Sequence, residues 1–106
     1  MRRGEIWWAE LEPPAGRRPV LLLSRNEAYS VRSLVIVAPV TTRIRQIPSE
    51  VPLGAGDGMP QNCVVNLDTI ATIPKDFLQN RMATLSSGKL VEVEAAIHFA
   101  LGMEDK

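Results

Sequence analysis

Short apolar runs separated by proline, glycine and polar residues fill the first two thirds of the chain, and this pattern predicts β-strands. The first three runs cover residues 4–11, 18–24 and 33–42, and they are rich in residues that strands favour. The second run is apolar on both faces, so we expect it in the middle of its sheet. Pro39 in the third run marks a bulge or the point where strand pairing stops.

The next residues continue this strand pattern, and after them the spacing of apolar residues changes to that of a helix. Residues 49–53 predict a short fourth strand, and residues 62–73 a fifth that bends near residues 66–68. Residues 74–78 predict a helical turn that starts at Pro74.

The last segment, residues 86–102, predicts an amphipathic helix because apolar residues recur there at spacings of three and four. Ser86 or Ser87 can cap its N-terminus, and Gly102 ends it. The apolar stripe consists of Leu90, Val93, Ile97 and Leu101.

Strands followed by a terminal helix predict an α+β domain built on a small antiparallel barrel or half-barrel. With 106 residues, of which 45% are hydrophobic, the chain can form one modest core, so we expect residues 1–106 to be one domain. No apolar run approaches the roughly 18 residues of a membrane span. The N-terminus also lacks the apolar stretch of a signal peptide, and we expect a cytoplasmic protein.

The formal net charge is zero, but the two halves of the chain differ in charge. Residues 1–53 contain eight arginines and five acidic residues, whereas residues 54–106 contain four basic and seven acidic residues. Every basic residue of the first half is arginine, whose planar fork suits bidentate recognition of phosphate. The alternative interpretation is that these arginines only solvate a β-rich surface.

The residue inventory excludes several kinds of catalysis. A single cysteine and a single histidine, His98, provide neither a disulfide framework nor a metal-ligand cluster, and we expect no metal and no cofactor. The sequence has no phosphate-binding glycine motif that leads into a helix. RNA remains a suitable substrate, because its own 2′-hydroxyl is the nucleophile and the enzyme need only align it and stabilise the charge that develops.

Four segments carry motifs that occur together in one family. They are RGEIWWAEL (residues 3–11), GRRPVLLLSRNEAYS (16–30), LVIVAPVTTRIRQIPSEVPL (34–53) and VVNLDTIATIPKDFLQNRMATLS (64–86), the last followed by a helix. In this order they resemble the MazF/PemK family of toxin endoribonucleases, and the resemblance covers residues 3–101.

This resemblance implies a fold, an activity and partners. The fold is an SH3-like antiparallel β-barrel of the CcdB/PemK/MazF type with a C-terminal α-helix. The activity is that of a homodimeric type II toxin, a sequence-specific mRNA interferase that cleaves single-stranded RNA without a metal. The 2′-hydroxyl attacks, leaving 2′,3′-cyclic phosphate and 5′-hydroxyl ends. The partner is a MazE-like antitoxin with an acidic, partly disordered tail.

The resemblance also implies the catalytic residues. The family's arginine before proline falls on Arg18, and its threonine after the proline–apolar pair falls on Thr41, or on Thr42 if the register slips by one. Arg18 can fork onto the oxygens of the scissile phosphate, and Thr41 can donate its hydroxyl to them. The structural alternatives are an ion pair at the start of a strand for Arg18 and an ordinary strand residue for Thr41.

Other residues near these two are candidates for RNA contacts and proton transfer. The residues that follow the second and third strands should rim the same site and position the RNA backbone. Together with the neighbouring arginine they are Arg17, Ser24, Arg25, Asn26, Thr42, Arg43 and Arg45. Many relatives carry a glutamate in a longer first loop; here the loop is short, and Glu12 is the nearest acidic candidate for proton transfer.

The aromatic residues offer few surfaces for stacking. We expect Tyr29 to be the most exposed of them, and the two tryptophans to lie in the core or in a dimer contact. Two rival functions remain open at this point: a CcdB-like toxin that binds a protein target such as DNA gyrase, and a binding module that has lost activity. A polyproline-binding adaptor would display more aromatic residues.

Overall fold

The computed structural model describes residues 1–103, which form a curled antiparallel sheet with a long helix at its C-terminal end. The strands are β1 (Glu5–Glu10), β2 (Arg17–Leu22), β3 (Leu34–Thr41), β4 (Glu50–Leu53), β5 (Cys63–Asn66), β6 (Ala71–Pro74) and β7 (Leu78–Thr84). The helices are α1 (Ala28–Val31) and α2 (Ser87–Ala100), and short 3₁₀ turns lie at Ala55–Asp57, Leu67–Thr69 and Lys75–Phe77. Among residues 1–103, no helix has the length and apolarity needed to cross a bilayer.

The sheet confirms most of the strand predictions. Its order is β4-β5-β3-β2-β1-β7, with β6 also paired to β3, and all pairs are antiparallel. The bend predicted in the fifth strand is real: a 3₁₀ turn separates β5 from β6, and both halves pair with β3. Pairing between β2 and β3 ends at Pro39, as predicted from the missing N–H of proline.

The core consists of two groups of buried side chains that alternate along the central strands. In β2, Leu21 belongs to the group that contains α2 residues, whereas Val20 and Leu22 belong to the other group. This alternation confirms that β2 is apolar on both faces and central in the sheet. Burial on both faces makes β2 a rigid support for the residues at its ends.

Helix α2 begins and ends as the sequence predicts. The Ser86 hydroxyl accepts a hydrogen bond from the Lys89 N–H at 3.2 Å, and Gly102 follows the helix with φ +68°. The predicted stripe is wrong at Leu101, which is 59% exposed. Buried Ala96 takes its place beside Val93 in the core.

Two elements were not predicted. The four-residue helix α1 is too short to show a period. Strand β7 contains mostly exposed or half-buried side chains, since it lies at the end of the sheet and pairs only with β1. Two register shifts interrupt that pairing, one of them between Trp8 and Ala9.

Candidate active site

Antiparallel pairing brings the start of β2 to the end of β3. Val20 and Pro39 form the last pair of the β2–β3 ladder, and Arg18 and Thr41 each lie two residues beyond that pair in their own strands, where side chains alternate between the two faces. Directly opposed residues point to the same face of a sheet. Arg18 and Thr41 therefore face the same side, although 23 positions separate them in the chain.

Two neighbouring cavities open at this end of the sheet. The first, here called the Trp8 cavity, has a volume of about 410 Å³. It is lined by Trp8, Ala15, Arg17, Arg18, Pro19, Val40, Thr41, Thr42, Met59, Pro60, Gln61, Cys63 and Met82. The second, here called the Arg45 cavity, has a volume of about 280 Å³. It is lined by Leu11, Ala15, Arg18, Pro39, Val40, Thr41, Arg43, Arg45 and Asn66.

Arg18 and Thr41 line both cavities, so they form part of the wall that the two share. Arg18 is exposed, and its Nε donates a hydrogen bond to the Ala15 carbonyl at 2.9 Å. This bond anchors the guanidinium and leaves its two terminal amino groups as further donors. The Thr41 hydroxyl accepts from the Arg43 N–H at 3.1 Å, which leaves its proton for a second partner.

Glu50 organises the loop that carries the remaining arginines. One of its carboxylate oxygens accepts hydrogen bonds from the N–H groups of Arg45 at 2.9 Å and Gln46 at 3.1 Å. Glu50 is only 8% exposed, so it is a fixed anchor within the protein. No role was predicted for Glu50, because a single acidic residue in a strand carries no local signal of a loop contact.

Arg17 lies over an aromatic ring at the edge of the Trp8 cavity. Its Cζ is 4.3 Å from the centroid of the Trp8 ring, and its Nε donates to Gln79 Oε1 at 3.1 Å. Both Trp8 and Arg17 line the cavity. Trp8 is absent from both groups of buried core side chains, so of the two places predicted for the tryptophans the dimer contact stays a prediction for Trp8.

The structure does not bring Ser24, Arg25 and Asn26 to this site, which corrects the expectation that they rim it. They follow the C-terminal end of β2, and Arg18 lies at its opposite end. Ser24 is buried and its hydroxyl accepts from the Ile36 N–H at 2.8 Å, while Asn26 accepts from the Arg3 N–H at 2.7 Å. Both side chains therefore make structural hydrogen bonds beyond the C-terminal end of β2.

Glu12 and Tyr29 are not among the residues that line the two cavities. Glu12 is exposed in the β1–β2 loop and is not among the residues that line either cavity. Tyr29 is 7% exposed, so the expectation that it is the most accessible aromatic residue is wrong. Burial raises the pKa of Tyr29 to about 12, and its hydroxyl donates to the Ser24 carbonyl at 3.2 Å.

Other reactive side chains offer little to the site. Burial raises the pKa of the Cys63 thiol, and the charge of Asp57 raises it further, so Cys63 is a poor nucleophile at neutral pH. His98 is exposed on α2 and lines neither cavity. Within residues 1–103, no three histidine, cysteine, aspartate or glutamate residues lie close enough together to hold a metal ion.

The curled sheet, the terminal helix and the arginine-lined cavities define a small α+β barrel protein with a cationic end. Residues 2–101 match the family of PemK-like, MazF-like toxins of type II toxin–antitoxin systems, and the chain belongs to that family. The SH3-like barrel with a C-terminal helix that the sequence predicted is thereby confirmed.

Individual relatives agree with this assignment. The chain is 39% identical over 100 residues to the probable endoribonuclease MazF5 of Mycobacterium tuberculosis, covering 93% of this chain and 91% of the relative. The structure of Mycobacterium tuberculosis toxin MazF-mt6 superposes with a TM-score of 0.87 at 33% identity, covering 95% of this chain and 99% of that one. A mycobacterial endoribonuclease in complex with its cognate antitoxin superposes with a TM-score of 0.88 at 26% identity, covering 100% and 99%.

Proposed function

We propose that this protein is the toxin of a type II toxin–antitoxin pair and an endoribonuclease that cleaves single-stranded RNA, mRNA in particular, at specific sequences. The observation that carries this proposal is the wall shared by the two cavities, where the exposed guanidinium of Arg18 and the hydroxyl of Thr41 face the same side of the sheet. Four arginines in the cavity linings supply the positive charge that a phosphate chain requires.

In the proposed reaction the 2′-hydroxyl oxygen attacks the adjacent phosphorus and loses its proton. The bond from phosphorus to the 5′-oxygen breaks, and that oxygen takes up a proton. The products are a 2′,3′-cyclic phosphate and a 5′-hydroxyl. Arg18 donates to the non-bridging oxygens as charge builds on them, and Thr41 donates its hydroxyl to the same group.

The side chains of this protein can stabilise the developing charge, but a general base is harder to identify among them. Arginine remains protonated in proteins, so Arg18 acts as an electrostatic stabiliser and hydrogen-bond donor, and the leaving oxygen takes its proton from solvent. Glu12 lies outside both cavities in the single chain, so proton abstraction by Glu12 would require the β1–β2 loop to move or a water molecule to bridge. RNA carries its own nucleophile, and the proposed mechanism requires no metal.

We also propose two protein partners. Related toxins have been solved in complex with antitoxins, including the mycobacterial complex and a MazE–MazF complex from Deinococcus radiodurans. An acidic antitoxin tail suits the arginines of the two cavities by charge, so it would compete there with RNA. The second partner is another copy of this chain, in a homodimer, and the protein would act in the cytoplasm.

The test is cleavage of a mixed-sequence single-stranded RNA in EDTA, with analysis of the ends. We expect cutting that leaves cyclic phosphates, and a rate about 10²–10³-fold lower in Arg18→Ala and Thr41→Ala, as when a transition-state donor is removed. Arg25→Ala is the matched control, because it deletes an exposed arginine at the far end of β2. Thr42→Ala tests the alternative register.

Two results would contradict this function. Cleavage that persists unchanged in folded Arg18→Ala would remove Arg18 from the mechanism. A folded wild-type protein that cuts no RNA would favour the CcdB-like alternative, and inhibition of DNA gyrase would then be measured.

A further inference from the structure

Arg17 and Trp8 form a cation–π pair at the edge of the Trp8 cavity. Three strands contribute to it: Trp8 comes from β1, Arg17 from β2, and Gln79, which binds the Arg17 Nε, from β7. A guanidinium over an indole is attracted to the negative face of the ring. The hydrogen bond to Gln79 restricts the guanidinium further, so it is held above the ring before any ligand arrives.

The partners of Arg17 distinguish it from an arginine in an ordinary ion pair. Glu10 is its cross-strand neighbour, yet the contacts that hold the guanidinium are an aromatic ring and a neutral amide. Neither contact neutralises its charge. The guanidinium over the indole ring lies at a cavity of about 410 Å³, a volume within the usual range of ligand pockets.

We propose that Trp8 and Arg17 form a stacking platform for one nucleobase of the RNA, that of a nucleotide adjoining the scissile phosphate. This inference rests on the proposed function. Single-stranded RNA is recognised by bases that splay out and stack on aromatic rings or guanidinium planes. Arg18 lines the same cavity, so a phosphate bound by Arg18 would bring its attached nucleoside to the platform.

Gln61 is the group that would read the edge of this base. It is exposed, it lines the Trp8 cavity, and its amide offers both a donor and an acceptor, as base edges do. The stacking residues would thus supply affinity for any base, and Gln61 would supply preference at one position of the cleavage sequence. An antitoxin side chain in the same cavity is the competing occupant, and the experiment separates the two.

The experiment measures binding of a non-cleavable RNA that carries the preferred cleavage sequence with a 2′-deoxy nucleotide at the cut. The chain has two tryptophans, so Trp7→Phe leaves Trp8 as the single indole and Trp8→Phe leaves Trp7. We expect RNA to quench the fluorescence of the Trp7→Phe protein strongly and that of the Trp8→Phe protein weakly. Trp7 is the matched control because its indole N–H donates to Glu5 and it does not line the cavity.

Affinities provide the second measurement. We expect Trp8→Leu to weaken RNA binding roughly 5- to 150-fold, the range of base–aromatic stacking, and Trp8→Phe to retain most of the affinity. Gln79→Ala removes the hydrogen bond that holds Arg17 and should weaken RNA binding by a smaller factor. If Trp8→Leu does not fold, the affinity of Gln79→Ala for RNA tests the stacking platform instead. Gln61→Ala should relax the base preference at one position of the cleavage sequence.

The outcomes distinguish this inference from the proposed function. If folded Trp8→Leu and Gln79→Ala bind RNA within twofold of wild type, the platform is wrong, although loss of cleavage in Arg18→Ala would still support the nuclease. If Trp8→Leu loses affinity for an acidic antitoxin peptide and keeps its affinity for RNA, the cavity holds the antitoxin. If wild type neither binds nor cuts RNA, both proposals are wrong.

Discussion

Glu5 is a buried carboxylate that ties the N-terminus of the chain to two strands. It is 6% exposed, and its oxygens accept from the Trp7 indole N–H at 2.9 Å, the Arg2 N–H at 3.0 Å and the Arg81 guanidinium at 3.3 Å. Burial alone would raise the pKa of Glu5, but these donors outweigh it and the pKa lies below its ordinary value of 4.5. The folded state therefore favours the ionised carboxylate.

This depressed pKa predicts how stability depends on pH. The contribution of Glu5 is fully present above about pH 4.5, the ordinary value, and is lost as the pH falls through the lower folded pKa. We expect Glu5→Gln to lower the free energy of unfolding by about 1–3 kcal/mol at pH 7 and by less at acid pH. Urea denaturation of both proteins between pH 7 and pH 3 measures this, and a constant difference across that range would contradict it.

Some residues of the candidate site could be predicted from the sequence, and others could not. Arg18 and Thr41 could be proposed because the residues next to them form recognisable motifs, and the structure places both in the lining of the same two cavities. The stacked pair of Trp8 and Arg17 could not, because it depends on the pairing of β1 with β2 and on a contact from β7. Tyr29 was misjudged for a similar reason: its burial comes from distant strands.

The cap of helix α2 makes a prediction at the scale of one element. Ser86 accepts the Lys89 N–H, and its replacement leaves that donor at the helix start without its side-chain partner. We expect Ser86→Ala to lower the free energy of unfolding by about 1 kcal/mol, measured by urea denaturation. Ser87→Ala is the control, because Ser87 is an exposed residue inside the first turn. Equal losses in the two variants would mean that the cap has no special role.

Elements were predictable where their own pattern determines them. The strands with apolar or β-branched runs and the capped helix were found with boundaries within two residues at most ends. Strand β7 was missed because its burial is low and it is defined by pairing with β1. The misplacement of Arg25 and Asn26 has the same origin, since a local pattern cannot show which ends of two strands will meet.

Charge is distributed unevenly over the whole molecule. The formal net charge is zero, yet Arg17, Arg18, Arg43 and Arg45 line two adjoining cavities. A zero net charge gives no general attraction to a polyanion, so the local cluster must supply it. The binding of RNA should then depend on salt through the few phosphates that this cluster contacts.

The salt dependence of RNA binding tests whether this arginine cluster supplies the attraction to RNA. For single-stranded RNA, the logarithm of the binding constant falls with the logarithm of salt concentration by about 0.7 for each phosphate neutralised. We expect Arg43→Ala and Arg45→Ala each to reduce this slope by about 0.7, because both arginines line the Arg45 cavity. Arg25→Ala should leave the slope unchanged, since Arg25 lies beyond the opposite end of β2. Titration of the non-cleavable RNA at several salt concentrations provides the slopes. An equal reduction in all three variants would mean that the RNA path extends along β2 to Arg25, as the sequence alone suggested.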